Sequence, residues 1–174
     1  MPLKKLYYNR ARIGRDLSPN DPVKKIADEI YKEGLKLAKG ILYHHTFKIN
    51  DIPQELIPAK FSGCRSITMF ASTIGSEITE RVEYYLNTEK ILQGTLLDSW
   101  GSESLEMLND SFDEILREKY GQGTIRFSPG YGDIPVSRNE LFLQLLKISG
   151  VTSNKETGIL NPIKSTTCMI GWHT

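Results

Sequence analysis

Arg126-Phe127-Ser128-Pro129-Gly130-Tyr131-Gly132-Asp133 holds two glycines and a proline, a composition that makes a turn. A β-prone run, Thr124-Ile125-Arg126-Phe127, leads into it and a capped helix leads out. Gly130 and Gly132 tolerate positive φ and leave bare backbone that a ligand can approach. Arg126 offers a planar fork of donors suited to a carboxylate or phosphate. Tyr131 packs a flat ring and still donates one hydrogen bond. Such a turn suits a small zwitterion carrying a flat heterocycle. The plainer reading is that Gly/Pro turns are common and that an Arg before one often forms only a surface ion pair.

Downstream, Ser137-x-x-Glu140 has the spacing of a capping box. Leu141, Phe142, Leu145, Leu146 and Ile148 then recur as the buried stripe of a helix that Gly150 closes. Residues 151–160 read as a polar turn, and residues 163–172, rich in Thr and Ile, as a last strand. Upstream, residues 89–120 carry Ile91, Leu92, Leu96, Leu105, Leu108, Phe112, Ile115 and Leu116 at helical spacing. Gly94, Ser99, Gly101 and Ser102 lie among them, which means either close contact with another element or a break near Gly101. The same segment carries Glu103, Glu106, Asp110, Asp113 and Glu114. A solvated face is the ordinary reading. One carboxylate turned inward would accept a hydrogen bond from an amine or a ribose hydroxyl, and periodicity does not choose which.

Further upstream, Asp21-Pro22 is an N-cap and first-turn pair. Val23, Ile26, Ala27, Ile30, Leu37 and Ala38 follow on one helical face, with Gly40 as the stop. Residues 41–49 alternate as a half-buried strand. His44 and His45 are neighbours there and so point to opposite faces, which keeps them from gripping one ion. Residues 66–73 form a second strand candidate. Gly75-Ser76 turns it into a helix with Ser76 as cap, acids at Glu77 and Glu80, and an inward stripe of Ile78, Val82, Tyr85 and Leu86. Strands and helices do not alternate strictly, and the last strand returns after a short loop. The fold expected is therefore α+β, a twisted and mainly antiparallel sheet with helices packed on it.

A chain of 174 residues, 39% hydrophobic and 25% charged, fits one domain with its own core. Its net charge of +1 gives no general pull toward nucleic acid or anionic membrane. No apolar run approaches membrane length, and no apolar segment marks a secretory signal. Cys64 and Cys168 with His44, His45 and His173 show no metal-site spacing. These features lead to the expectation of a cytoplasmic protein with no metal and no nucleic-acid or membrane partner. Lys4, Lys5, Arg10, Arg12 and Arg15 precede the first acid, Asp16. Residues 1–20 read as a loosely ordered basic arm, either a dock for an acidic partner or, more often, a solvated terminus.

The core Arg126, Pro129, Gly130, Tyr131 is followed by Pro135, Leu141-Phe142, Leu145-Leu146, Gly150-Val151 and Pro162-Ile163-Lys164-Ser165. This pattern resembles the activation domain of cobalamin-dependent methionine synthase. Phe70-Ala71-Ser72-Thr73-Ile74-Gly75 and the helix after it look like the short, free-standing members of that family, so the resemblance spans residues 41–171. It implies the same α+β fold and S-adenosylmethionine as ligand. Arg126 would grip the methionine carboxylate, and Ser128, Pro129, Gly130 and Tyr131 would line the adenosyl end. An acid on the long helix, best aligned at Asp110, would complete the site. In that family one electron plus a methyl from S-adenosylmethionine restores methylcobalamin from its inactive cobalt(II) form, in support of methionine biosynthesis. The resemblance implies that cobalamin comes from a separately encoded methionine synthase or other corrinoid methyltransferase, and the electron from a flavodoxin-like or other reductant. The chain itself would be an accessory component with no catalytic side chain and no autonomous catalysis. The family's Asp-Trp-x-Pro-Phe-Phe acid and its Tyr beyond the last strand have no counterpart here. A second reading follows from those departures: a non-catalytic scaffold or interaction domain of the same fold that has lost the ligand.

Overall fold

A computed structural model describes residues 2–14, 18 and 21–173. Three antiparallel strands, β1 (Ile41–Lys48), β2 (Ser66–Thr73) and β5 (Ser165–Trp172), lie in the order β1-β2-β5. β2 is central and buried from Ile67 to Thr73, so both of its faces need cover. Alternation assigns those faces. Thr68, Phe70 and Ser72 register with Ile170, Cys168 and Thr166 on one side; Ile67, Met69 and Ala71 register with Gly171, Met169 and Thr167 on the other.

The first face packs under α4 (Ile91–Tyr120), where Leu116 and Phe112 meet Phe70, Cys168, Ile170 and Trp172. The second face is closed by the short turns of residues 49–61 and by α5 (Asn139–Leu146), through Leu56, Phe61 and Phe142 against Ile67, Met69 and Met169. The molecule is thus α+β, with a twisted antiparallel sheet and helices packed on it, as its sequence pattern indicates.

A second core gathers on the N-terminal half of α4. Here α1 (Lys4–Arg10), α2 (Pro22–Leu37) and α3 (Glu77–Asn87) bring Tyr7, Ala27, Ile30 and Ile78 onto Leu97 and Trp100. Asp21 caps α2 as its sequence suggests, its carboxylate accepting from the Val23 amide at 2.8 Å. Gly34 admits the Trp100 ring, since a Cβ there would stand 2.6 Å from two of its ring carbons. α4 runs unbroken for 30 residues, so the small residues near Gly101 mark close packing and not a break. A Cβ on Gly101 would lie 2.9 Å from Ile78 Cγ2.

Several local expectations are corrected. The N-terminal segment is not a loose arm over residues 4–13: it forms α1, with Tyr7 fully buried and Ile13 nearly so. Lys4 pairs with Asp28 at 2.6 Å and Arg10 with Glu103 at 2.6 Å, so two of its basic residues are used internally. Residues 1, 15–17, 19 and 20 of that expected arm lie outside the described residues. Ser76 makes no side-chain cap bond to α3. The Ser137-x-x-Glu140 box does not form, because a 3-10 turn at Val136–Arg138 precedes α5 and Arg138 takes the cap position. α5 is closed by Lys147 in a left-handed conformation (φ 54) and not by Gly150, which instead lies against the Tyr43 ring. The expected polar turn after it contains a two-strand ladder, β3 (Thr152–Ser153) and β4 (Leu160–Asn161). His44 and His45 point apart, onto Phe112 (4.9 Å between ring centres) and Phe47 (4.4 Å). Among the described residues no helix is long and apolar enough to cross a membrane.

Candidate functional site

Residues 123–127 run along the outer edge of β5. Gly123 bridges to Trp172 and Phe127 to Met169, so four steps on this segment oppose three on β5. The extra residue is a bulge, which reverses the alternation of side chains and aims them differently from a regular strand. Two groups pin it: the Thr124 amide donates to Gly171 O at 2.9 Å, and the Gly171 amide donates to Thr124 Oγ1 at 3.0 Å. Beyond it, Phe127 exchanges hydrogen bonds of 3.0 and 2.7 Å with Met169 and turns its ring into the core beside Phe61. Arg126, its neighbour, turns the other way, toward α4.

There the guanidinium is clasped. Arg126 Nη1 donates to Asp110 Oδ1 at 2.8 Å and Nη2 to Glu106 Oε2 at 2.9 Å. The two acids stand one helical turn apart on α4, so their carboxylates share a face. Burial alone would lower the Arg126 ionisation, but the Asp110 hydrogen bond and the Asp110 and Glu106 charges outweigh it and hold the group above its usual value. Asp113 is excluded from this cluster; it pairs with Arg117 at 2.9 Å.

After Phe127 the chain leaves the edge of β5 and turns. The Gly130 amide donates to Ile134 O at 2.8 Å, and Asp133 Oδ2 accepts from the Ala59 amide at 2.7 Å. Between this turn, α4 and β5 lies a pocket of about 450 Å³. Arg126, Ser128, Pro129 and Tyr131 line it. Asp110 stands behind Arg126 and off the wall; Glu106, one turn earlier, is on it. Gly130 is also off the wall. Its φ of 98° favours glycine, and a Cβ there would lie against Val136, so it shapes the turn.

The sequence reading misses the other side of the pocket. Lys60, Asn109, Asn139, Thr167 and Cys168 all line it. Asn109 is buried, and its Oδ1 accepts from Ser72 at 2.6 Å. Asn139 is buried too and engaged on both ends: Oδ1 accepts from Thr167 Oγ1 at 2.6 Å and Nδ2 donates to Gly158 O at 2.9 Å. Burial pushes the Cys168 thiol up, and its Sγ lies 3.2 Å from Ser128 Oγ. One signal was available. Asn109, Phe112 and Leu116 share a helical face, and an amide on an otherwise apolar stripe is a group placed to be satisfied.

No protein-family model matches this sequence, and no curated protein matches it. The fold is similar to that of the crystal structure of the MetH reactivation domain bound to AdoHcy, with a TM-score of 0.60. The likeness covers 98% of this chain and 75% of that one at 16% sequence identity, which shows the fold.

Proposed function

We propose that this chain binds an S-adenosyl amino acid beside Arg126 and presents its methyl group to a corrinoid carried by another protein. The observation that carries this reading is the clasp itself: one guanidinium held between two carboxylates on the wall of a pocket of about 450 Å³. That volume is in the range of small-molecule sites. An α-amino acid group brings one carboxylate and one ammonium. It can exchange with the clasp at no change in net charge, its carboxylate taking Arg126 and its ammonium taking Glu106 or Asp110, while the other acid stays exposed to solvent. A ligand with only a carboxylate would add a third negative charge around Arg126 and bring no cation for either acid. Ser128, Pro129 and Tyr131 then offer a hydroxyl, an apolar ring and an aromatic face to a heterocycle. The bound AdoHcy in the similarly folded reactivation domain supports the same ligand class.

S-adenosylmethionine, when bound, supplies an electrophilic methyl. The chain's own residues hold its amino-acid end and fix its orientation, and none is asked to act as acid or base. The cobalamin belongs to a methyltransferase in trans, and the electron that reduces cobalt(II) comes from a flavodoxin-like or other reductant. Calorimetric titration of the protein with S-adenosylmethionine and with S-adenosylhomocysteine tests the binding claim. Saturable binding of both is the expected result. Heat of dilution alone at millimolar ligand would replace this reading with that of a ligand-free scaffold.

A further inference from the structure

The ladder between β2 and β5 fixes which backbone groups of β5 face outward. The Ile74 amide donates to Lys164 O at 3.1 Å just past the Thr73–Ser165 pair. In an antiparallel pair the hydrogen-bonding direction alternates. Thr166, Cys168, Ile170 and Trp172 therefore turn their amides and carbonyls toward β2, and Thr167, Met169 and Gly171 turn theirs away. Met169 and Gly171 use these outward groups on Phe127 and Thr124. Thr167 comes next in the same row, but the opposing chain has already left the edge at Ser128-Pro129. Among the described residues neither the N–H nor the C=O of Thr167 has a partner, although the residue is only 2% exposed and lines the pocket. Its side chain is committed elsewhere, to Asn139.

Buried backbone groups are almost always paired, and an orphaned one carries the full cost of its lost hydration. A donor and an acceptor of one residue, side by side in the plane of a sheet, suit a flat partner with an acceptor next to a donor. The aminopyrimidine edge of adenine is such a partner, its ring nitrogen accepting and its exocyclic amine donating. We propose that the open edge of β5 at Thr167 reads the adenine base of the ligand, pairing with it as a further strand would. Pro129 and Leu160, also on the wall, supply apolar lining for the ring. This inference rests on the ligand class proposed above and assigns its base recognition to main chain.

Two measurements on the full chain decide it. Amide hydrogen exchange at Thr167 is followed by NMR with and without S-adenosylhomocysteine, with the bonded amide of Met169 as control. The affinity for S-inosylhomocysteine, in which the amine is a carbonyl and the ring nitrogen carries hydrogen, is measured by calorimetry. Thr167 exchange should slow by about tenfold or more on ligand binding. The inosyl compound should bind weaker by about tenfold or more, since both edge groups then face their own kind. Slowed exchange with unchanged inosyl affinity would give the edge to the ribose and overturn the base assignment. Unchanged exchange with S-adenosylhomocysteine bound would overturn it as well, leaving the ligand class intact. No binding of S-adenosylhomocysteine at all would overturn the ligand class and this inference with it.

Discussion

Arg126 is the residue on which ligand affinity should turn. Truncating one partner of a charged, hydrogen-bonded pair costs about 2–5 kcal/mol, so Arg126→Ala should weaken S-adenosylmethionine binding about a hundredfold or more. Glu106→Gln removes the acid that reaches the pocket wall, and on the scale of a hydrogen bond to a charged group it should cost about tenfold. Asp113→Asn should leave affinity unchanged, because that carboxylate serves Arg117. Titration calorimetry on the three variants checks the order, and an effect at Asp113 equal to that at Glu106 would move the site along α4. The turn, its Arg and an acid from the long helix were legible in the sequence. The choice between Glu106 and Asp110 was not, since both lie on one helical face and only the reach of Arg126 from a neighbouring element joins them. Asn109 and Thr167 escaped for a related reason: their importance depends on where residues 123–127 leave β5, a pairing between segments about forty residues apart.

At the level of elements, the strands at 66–73 and 163–172 and the helices at 22–37 and 91–120 follow from periodicity, because each buries a regular face. Element ends were harder to read. Ser137 and Glu140 have capping-box spacing, but Pro135 sets an extended residue and the chain enters a 3-10 turn first. A spacing motif records what the local chain can do, and tertiary packing chose otherwise here. The crossing of α2 and α4 makes a prediction of its own. Gly34→Ala would push a methyl into the Trp100 ring, which is fully buried among α1, α2 and α3. Overpacking of this kind costs about 1–3 kcal/mol, so urea denaturation should show a lower midpoint with an unchanged slope. An unaltered midpoint would mean that the two helices separate freely at this crossing.

Across the whole molecule, α1 ties the N-terminus to the same helix that bears the clasp. Tyr7 is its buried anchor: its hydroxyl donates to Ala27 O at 3.3 Å, and burial raises its ionisation above tyrosine's usual 10.0. A raised value in the folded state favours the neutral phenol. The stability this gives is complete below pH 10 and is lost as pH climbs past 10 toward the folded value. Tyr85, pushed up to about 12 by burial and its bond to Glu33, adds to the same loss. Circular dichroism should show unfolding setting in above pH 10, and Tyr7→Phe should keep more of its neutral-pH stability at pH 11 than the parent protein does. Equal alkaline losses in the two would remove Tyr7 from the account. The proposed corrinoid partner is tested at this scale too. Adding the protein to an oxidised corrinoid methyltransferase with reductant and S-adenosylmethionine should speed the return of the methylcobalamin spectrum. A rate indifferent to the protein would sink reactivation and leave ligand binding standing. The two cores threaded on α4 have one further consequence. The sequence contains two tryptophans, and each core holds one of them fully buried, Trp100 among α1, α2 and α3 and Trp172 beneath the sheet. The protein therefore carries a separate intrinsic fluorophore in each half. Trp100→Phe leaves emission from the sheet alone, and Trp172→Phe leaves emission from the helical cluster alone. If the rod between them, about 45 Å long at 1.5 Å per residue, transmits unfolding as one event, each variant's emission should shift to the red at the same urea concentration as its own circular dichroism. Fluorescence that runs ahead of circular dichroism in one variant and lags it in the other would reveal two melting bodies sharing a single helix.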